Sequence, residues 1–300
     1  MKEAIRIGSV DIAVARDSYW AAAPATHLRD RASNAIPLEH FAPYVGRQDP
    51  TTQVASRVLC FVVKSQGKTV LLDAGVGAWG LWRFGDGHLL DALAGLDVRP
   101  EEIDVVIPSH LHLDHIGWNT RPGPDGKPVV TFPNARYMFH KADWDRFTDP
   151  VIVDRQDPAS RLARIADTCL LPISAAQQMD LVATDASVTS ELKILHTPGH
   201  TPGSVSVLVE SGGESVLFIG DVAHLCVQLT EYDWSPLGDV DRELSPKSRR
   251  RVVEEAVGRN ALVAGPHLEE GPVYGRMVML NGRRVWQGVD VPAQREIVAA

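Results

Sequence analysis

IDVVIPSHLHLDHIGWN, residues 103–119, joins an apolar run to a cluster of polar side chains. Ile103 to Ile107 reads as a buried strand. His110, His112, Asp114 and His115 then follow within six residues. Four such groups at the end of a core strand are either polar loop residues or ligands to metal. The rest of the chain decides between these readings.

A structural zinc site is closed by four ligands and is usually rich in cysteine, whereas a catalytic site uses His and carboxylate and keeps a position open for water. Cys60, Cys169 and Cys226 are scattered, with neither metal-ligand spacing nor a disulfide framework. The catalytic type is therefore the one to test, and it needs further ligands at other strand ends. His200 follows the strand-like Leu192–Leu195, Asp221 ends the run Ser215–Gly220, and His267 ends the run from Ala261. His110, His112 and His200 supply three imidazoles for one cation, and Asp114, His115 and His267 supply a second set. Asp221 is placed to bridge them, with room for a shared hydroxide. Two cations about 3.5–4 Å apart activate water and clamp the attacking and leaving oxygens, so the chemistry implied is hydrolysis.

The surrounding pattern is mixed α/β. Arg57–Lys64 and Lys68–Gly75 read as paired strands around the Gly-containing turn Ser65–Lys68. His88–Leu96 has helical spacing, and Ala135–His140 is a further strand. Residues 141–185 hold helical patterns and no strong strand. Leu192–Thr197, Val205–Val209 and Ser215–Asp221 begin a second strand set, and Ala261–His267 is its last informative member. Ser245–Val257 reads as a helix with Ser245 as N-cap and Pro246 as its first residue. Residues 1–55 read as an irregular extension or pocket-lining segment of a single domain covering 1–300. Two coarsely similar halves suit two facing sheets.

Composition limits the partners. A net charge of −8 argues against a nucleic-acid footprint and gives no pull toward anionic membranes. The chain lacks a signal-like N-terminus and a run of about 18 apolar residues, so it is expected in the cytoplasm and off the membrane. A small-molecule substrate is the expected partner, with a homodimer as a further option. Trp118 and Trp234 are candidates for an apolar substrate wall. The run Lys247–Arg251 precedes Glu254 and Glu255 at i,i+4 and reads as a solvated, salt-bridged helix face. The glycines of TPGHTPG (Thr197–Gly203) lack Walker-loop spacing and read as turn residues close to the metal.

HLHLDH (His110–His115), His200 within TPGHTPG, the strand-ending Asp221 and the final His267 occur in an order that resembles the metallo-β-lactamase superfamily. The resemblance covers about residues 55–270. It implies an α/β fold, an αβ/βα sandwich of two facing β-sheets flanked by helices, with two Zn2+ at one edge. GDVAHLCVQL (Gly220–Leu229) and AGPH (Ala264–His267) are similar to the branch containing methyl parathion hydrolase and the acyl-homoserine lactonases. Those lactonases often carry a Tyr three residues past the bridging Asp; here the position is His224. The resemblance implies that Asp114 both binds metal and delivers a proton to the leaving group, and that His224 orients substrate or shuttles a proton. A lactone is the expected substrate, with an organophosphate triester or aryl ester as the alternative. A β-lactam, a thioester and a nucleic acid rank below them.

Overall fold

Alternation along each strand determines what it buries. The computed structural model describes residues 4–41, 49–154, 160–268 and 271–290. One seven-stranded sheet contains β1 (Ala4–Ile7), β2 (Val10–Ala22), β3 (Val54–Ser65), β4 (Lys68–Leu72), β5 (Val105–Ile107), β6 (Arg136–His140) and β7 (Met179–Val182), neighbouring one another in chain order. The other contains β8 (Ala186–Ser187), β9 (Leu192–His196), β10 (Val205–Ser211), β11 (Glu214–Phe218), β12 (Leu262–Ala264), β13 (Gly275–Leu280) and β14 (Arg283–Gly288), again in chain order.

Residues Leu59, Phe61 and Val63 of β3 face inward and meet Val207, Val209, Val216 and Phe218 of the second sheet. Cys60 and Val62 point outward. The same period of two places Val105 and Ile107 of β5 inside and Val106 outside. At the centre the Phe61 and Phe218 rings lie 4.6 Å apart; truncating either to alanine would cost about 3–5 kcal/mol. Helices cover both outer faces. Leu89 and Leu93 of α2 (Leu89–Gly95) and Ile173 of α6 (Leu171–Ala175) pack on the first sheet. Val252, Val253 and Ala256 of α7 (Ser245–Arg259) pack on the second. The remaining helices are short: α1 (Pro24–His27), α3 (Leu113–Ile116), α4 (Lys141–Thr148) and α5 (Arg161–Ile165). The expected two-sheet sandwich flanked by helices is the observed architecture.

Strand direction brings the ligands together. β9 and β11 both pair antiparallel with β10, so they run the same way, and β12 is parallel to β11. His200, Asp221 and His267 follow the C-terminal ends of these three strands and so emerge at one edge. The loop after β5 delivers the HLHLDH stretch to that edge from the other sheet.

Four expectations need correction. Residues 4–22 are not irregular: β1 and β2 form a hairpin at the edge of the first sheet, with Ile5, Ile7, Val10, Ile12 and Val14 buried between the sheets. The section 141–185 ends in a strand, because β7 pairs in parallel with β6. Ala261–His267 is not the last strand; β13 and β14 follow as an antiparallel hairpin whose turn, Asn281–Gly282, has positive φ at both positions. Ser245 lies inside α7 rather than capping it, and the backbone N–H groups of Glu243 and Leu244 are held instead by the Asp241 carboxylate.

Candidate metal centre

Residues from both sheets converge on one small volume. The donor atoms of His110, His112 and His200 lie within 4.8 Å of one another, as do those of Asp114, His115 and His267. The Asp221 carboxylate sits between the two groups. Its Oδ1 is 3.4 Å from Nε2 of both His115 and His267, and its Oδ2 is 3.4 Å from Nε2 of His200 and 3.8 Å from that of His110. One oxygen therefore faces each set. The turn into Asp221 depends on Gly220, whose φ is +52°; a Cβ there would lie 2.6 Å from that of Ser109. Gly199, with φ +141°, similarly turns the chain into His200, and a side chain there would collide with Ser245.

Hydrogen bonds outside the cluster fix which ring nitrogen faces in. His115 Nδ1 lies 3.0 Å from Asp73, His200 Nδ1 3.0 Å from Asp239, and His267 Nδ1 2.8 Å from the Arg57 carbonyl. Each acceptor requires the ring proton at Nδ1, which leaves the Nε2 lone pair directed at the cluster. His110 makes the corresponding bond to the Ser109 hydroxyl at 3.2 Å, and Ser109 donates onward to Asp73. His112 is turned the other way: its Nδ1 approaches His110 Nε2 at 2.8 Å and His200 Nε2 at 3.0 Å.

A cation fits this donor set. Nitrogen lone pairs that approach within about 3 Å need a proton or a cation between them, and a single proton on His112 Nδ1 serves only one of its two contacts, to His110 and His200. Asp221 Oδ1 is buried and has no hydrogen-bond partner among the described residues. Burial, reinforced by neighbouring imidazoles, pushes His110 well below its ordinary range and His112 down to about 3, so both are in the neutral, ligating form. Burial alone would raise the Asp114 and Asp221 carboxyls; protons taken up at Nε2 of His115 and His267, which a cation would replace, hold both below the usual range.

His224 lies at the same edge. Its Nε2 is 2.8 Å from Asp221 Oδ2 and its Nδ1 is 3.1 Å from His27 Nε2. Since the carboxylate accepts from Nε2–H, His224 Nδ1 accepts from His27. Burial, together with repulsion from His224, pushes His27 down to about 3. A cavity of about 500 Å³ opens over this edge, and His112, Asp114, His200, Asp221, His224 and His267 form its floor. His27 and Trp20, from the N-terminal segment, form part of its wall.

The two tryptophans singled out from the sequence do not line it. Trp118 is buried and donates its indole N–H to Asp17 at 2.8 Å. A β-bulge between Arg16 and Ser18 turns the Asp17 carboxylate inward, where it also accepts from the backbone of Val76 and Leu89. Trp118 thus ties the end of the ligand loop to the first sheet. Trp234 packs at a tilt against Phe41, ring centroids 4.7 Å apart, in a separate apolar cluster. Its carbonyl accepts from Gln228, whose Oε1 receives the His224 backbone N–H, so Trp234 steadies the loop that carries His224.

The Lys247–Arg251 run is also not a purely solvated face. Arg249 is fully buried, and its Nη2 lies 2.7 Å from Asp239 Oδ2. A chain of contacts therefore runs from α7 through Asp239 to His200. Arg251 reaches Asp185 and the His196 carbonyl. His196 itself bonds the Pro202 carbonyl and stacks on His140 at 4.0 Å, outside the ligand set. α4 braces the site from behind. Asp143 accepts from Leu111 N, Thr201 Oγ1 and Gly203 N, clamping both ligand loops, and Phe147 packs edge-on against His112 at 5.5 Å.

The sequence pattern of the metallo-beta-lactamase superfamily matches residues 55–267. The chain belongs to that superfamily. It is a metal-dependent hydrolase of this family. It is 24% identical over 227 residues to an N-acyl homoserine lactonase of Bacillus sp., covering 70% of this chain and 80% of that protein. It is 26% identical over 217 residues to the lactonase AiiA of Bacillus thuringiensis subsp. kurstaki, covering 66% and 75%. Among solved structures, the dizinc quorum-quenching lactonase AidC, bound to its product, superposes with a TM-score of 0.78 at 22% identity, over 97% of this chain and 98% of that one. The hydrolase AbOPH gives 0.79 at 23%, with the same coverage. Among the described residues no helix is long and apolar enough to cross a membrane.

Proposed function

We propose that the chain is a dinuclear zinc hydrolase that opens a lactone. The observation that carries this reading is the Asp221 carboxylate, with one oxygen toward His110 and His200 and the other toward His115 and His267. His110, His112 and His200 would hold one Zn2+, Asp114, His115 and His267 the other, and Asp221 would span both. The imidazole-rich set suits zinc. Bound there, the two cations would lower the pKa of water and polarise a substrate carbonyl.

The protein's own groups do the rest. Asp73, Asp239 and the Arg57 carbonyl hold three imidazoles in the ligating tautomer. Asp114 is the group on the cavity floor that is both ionised and partly accessible, which suits it to carry a proton from the attacking water to the departing alkoxide. His224, fixed by Asp221 on one side and His27 on the other, presents a ring edge to the substrate oxygen. Trp20, Leu81 and Trp82 exclude water from the acyl portion.

The lactonase relatives support a lactone as substrate. His224, where the related lactonases often carry Tyr, supports a second reading in which the same site cleaves an aryl ester or an organophosphate triester. A turnover panel of homoserine lactones, aromatic lactones, aryl esters and paraoxon-type triesters, run on metal-quantified protein, separates them. Lactone opening is expected to dominate. Triester cleavage without lactone or ester cleavage would overturn the first reading.

A further inference from the structure

The mouth of the cavity has a chemistry different from its floor. The cavity's buried lining is mostly imidazole and carboxylate, with indole and leucine beside it, but its exposed lining includes two guanidinium groups, Arg83 and Arg161. Neither forms an ion pair with an acid among the described residues. Other arginines do so even on the open surface, as Arg6 does with Asp11 and Arg136 with Asp180. The contrast matters in a chain of net charge −8, where acidic partners are plentiful.

The two guanidinium groups come from distant segments and are held near one loop. Arg161 begins α5 and donates one of its N–H groups to the Leu81 carbonyl at 3.1 Å. Arg83 lies with its Cζ 4.5 Å over the Phe84 ring, a contact that uses the π-face of the guanidinium and leaves its in-plane N–H donors for other acceptors. A guanidinium fork matches the two oxygens of a carboxylate. Burial grades the lining from the enclosed hydrolytic centre, through the half-buried Leu81 and Trp82, to the exposed Arg83 and Arg161.

Resting on the hydrolytic reading above, we infer that the substrate carries a carboxylate at the end remote from the bond that is cleaved, and that Arg83 and Arg161 select it. The substrate class is an ω-carboxyacyl lactone or ester rather than one with a plain alkyl chain. Reaction would leave this carboxylate untouched, since it serves only to seat the chain.

The test compares acyl chains that differ only at the tip. N-Hexanoyl-homoserine lactone is set against N-adipoyl-homoserine lactone, and 4-nitrophenyl hexanoate against mono-4-nitrophenyl adipate. Metal-loaded wild type is expected to favour the adipoyl member of at least one pair by about tenfold in kcat/KM, the scale of one or two charge-assisted contacts at a partly exposed site. R83Q and R161Q should each reduce that ratio by about threefold through KM, and the double variant should abolish it. R161K should retain part of the preference, and 0.5 M NaCl should weaken it in wild type. A wild-type ratio at or below one, or a ratio unchanged in the double variant, would overturn the inference while leaving the hydrolytic reading intact. Absence of turnover with all four compounds would overturn the lactone and ester readings on which the inference rests, and the inference with them.

Discussion

Replacing Asp239 with Asn probes how α7 reaches the metal centre. Arg249 and Asp239 are almost wholly shielded from solvent and meet at 2.7 Å, while the other oxygen of Asp239 holds His200 Nδ1 at 3.0 Å. Burial and a charged partner oppose each other here: burial alone would raise the Asp239 carboxyl, but the His200 contact and Arg249 keep it below the usual carboxylate range. Asn would leave the guanidinium buried without its counter-charge. Removing one partner of a buried pair costs about 3–5 kcal/mol. Arg249 keeps three other acceptors, the carbonyls of Val222 and Tyr232 and the Ser235 hydroxyl, so the lower end, about 3 kcal/mol, is expected. Metal binding should suffer separately. Loss of the partner that orients a ligating histidine typically costs 10–100-fold in affinity, or about 1.4–2.7 kcal/mol. Urea unfolding of the metal-stripped protein reads the first quantity, and competition with a chromophoric chelator reads the second. The double variant D239N/R249M should recover part of the stability but none of the metal affinity. If D239N lost under about 1 kcal/mol and bound metal as tightly as wild type, the proposed link from α7 to His200 would be wrong.

Other expectations follow from the same geometry. H224A should lower kcat by about 10–100-fold, as for loss of the partner that orients a ligating carboxylate, with metal content unchanged by mass spectrometry; H27F should have a smaller effect in the same direction. W118F should destabilise the fold by about 1–3 kcal/mol, because the buried Asp17 loses a donor, yet leave KM for the preferred substrate as in wild type. A rise in KM with no loss of stability would restore Trp118 to the substrate site. His140 is pushed down to about 4 by burial and by His196 stacked against it. Because the folded state holds this group below its unfolded value of about 6.5, the unfolded chain binds the proton more readily. Stability should therefore fall as pH drops from about 6.5 toward 4. Asn at position 140 can still accept the helix-capping bond from Ala142 N that His140 Nδ1 accepts, so H140N should flatten that slope in thermal unfolding scans.

The cluster of candidate metal ligands was legible because its signal is local. HLHLDH places four donors on one loop and the following turn of α3, and each remaining ligand directly follows a strand of unmistakable apolarity. Asp73 had the same signal, a carboxylate ending the run Val70–Leu72, and belongs to the site as the partner of His115 and Ser109. Arg249 was hidden by its composition, since it lies in a basic run that looks solvated. Its phase was available, however: Ser245, Ser248, Arg249, Val252, Val253 and Ala256 form the buried stripe of α7 at helical spacing. The strands β1 and β2 were also readable, with Ile5, Ile7, Val10, Ile12 and Val14 alternating around the Gly8–Ser9 turn, as was the Asn281–Gly282 hairpin. The cavity wall was not readable. Trp20, His27, Trp82, Arg83 and Arg161 come from three separate stretches of chain, and only the packing of α5 and the N-terminal segment over the strand ends brings them to one opening. Trp118 and Trp234 failed as candidates for the converse reason: aromatic residues near a site in sequence pack wherever apolar area is to be buried.

If Asp221 joins two cation sites into one reactive centre, zinc occupancy and turnover must rise together. Titrating Zn2+ into metal-stripped protein while following both bound metal and lactone turnover tests it most directly. Activity should rise to a plateau at two equivalents per chain, and D221A should lose at least about a thousandfold in turnover, equivalent to about 4 kcal/mol, while failing to hold the second ion. Full activity at one equivalent, or undiminished turnover in D221A, would contradict this.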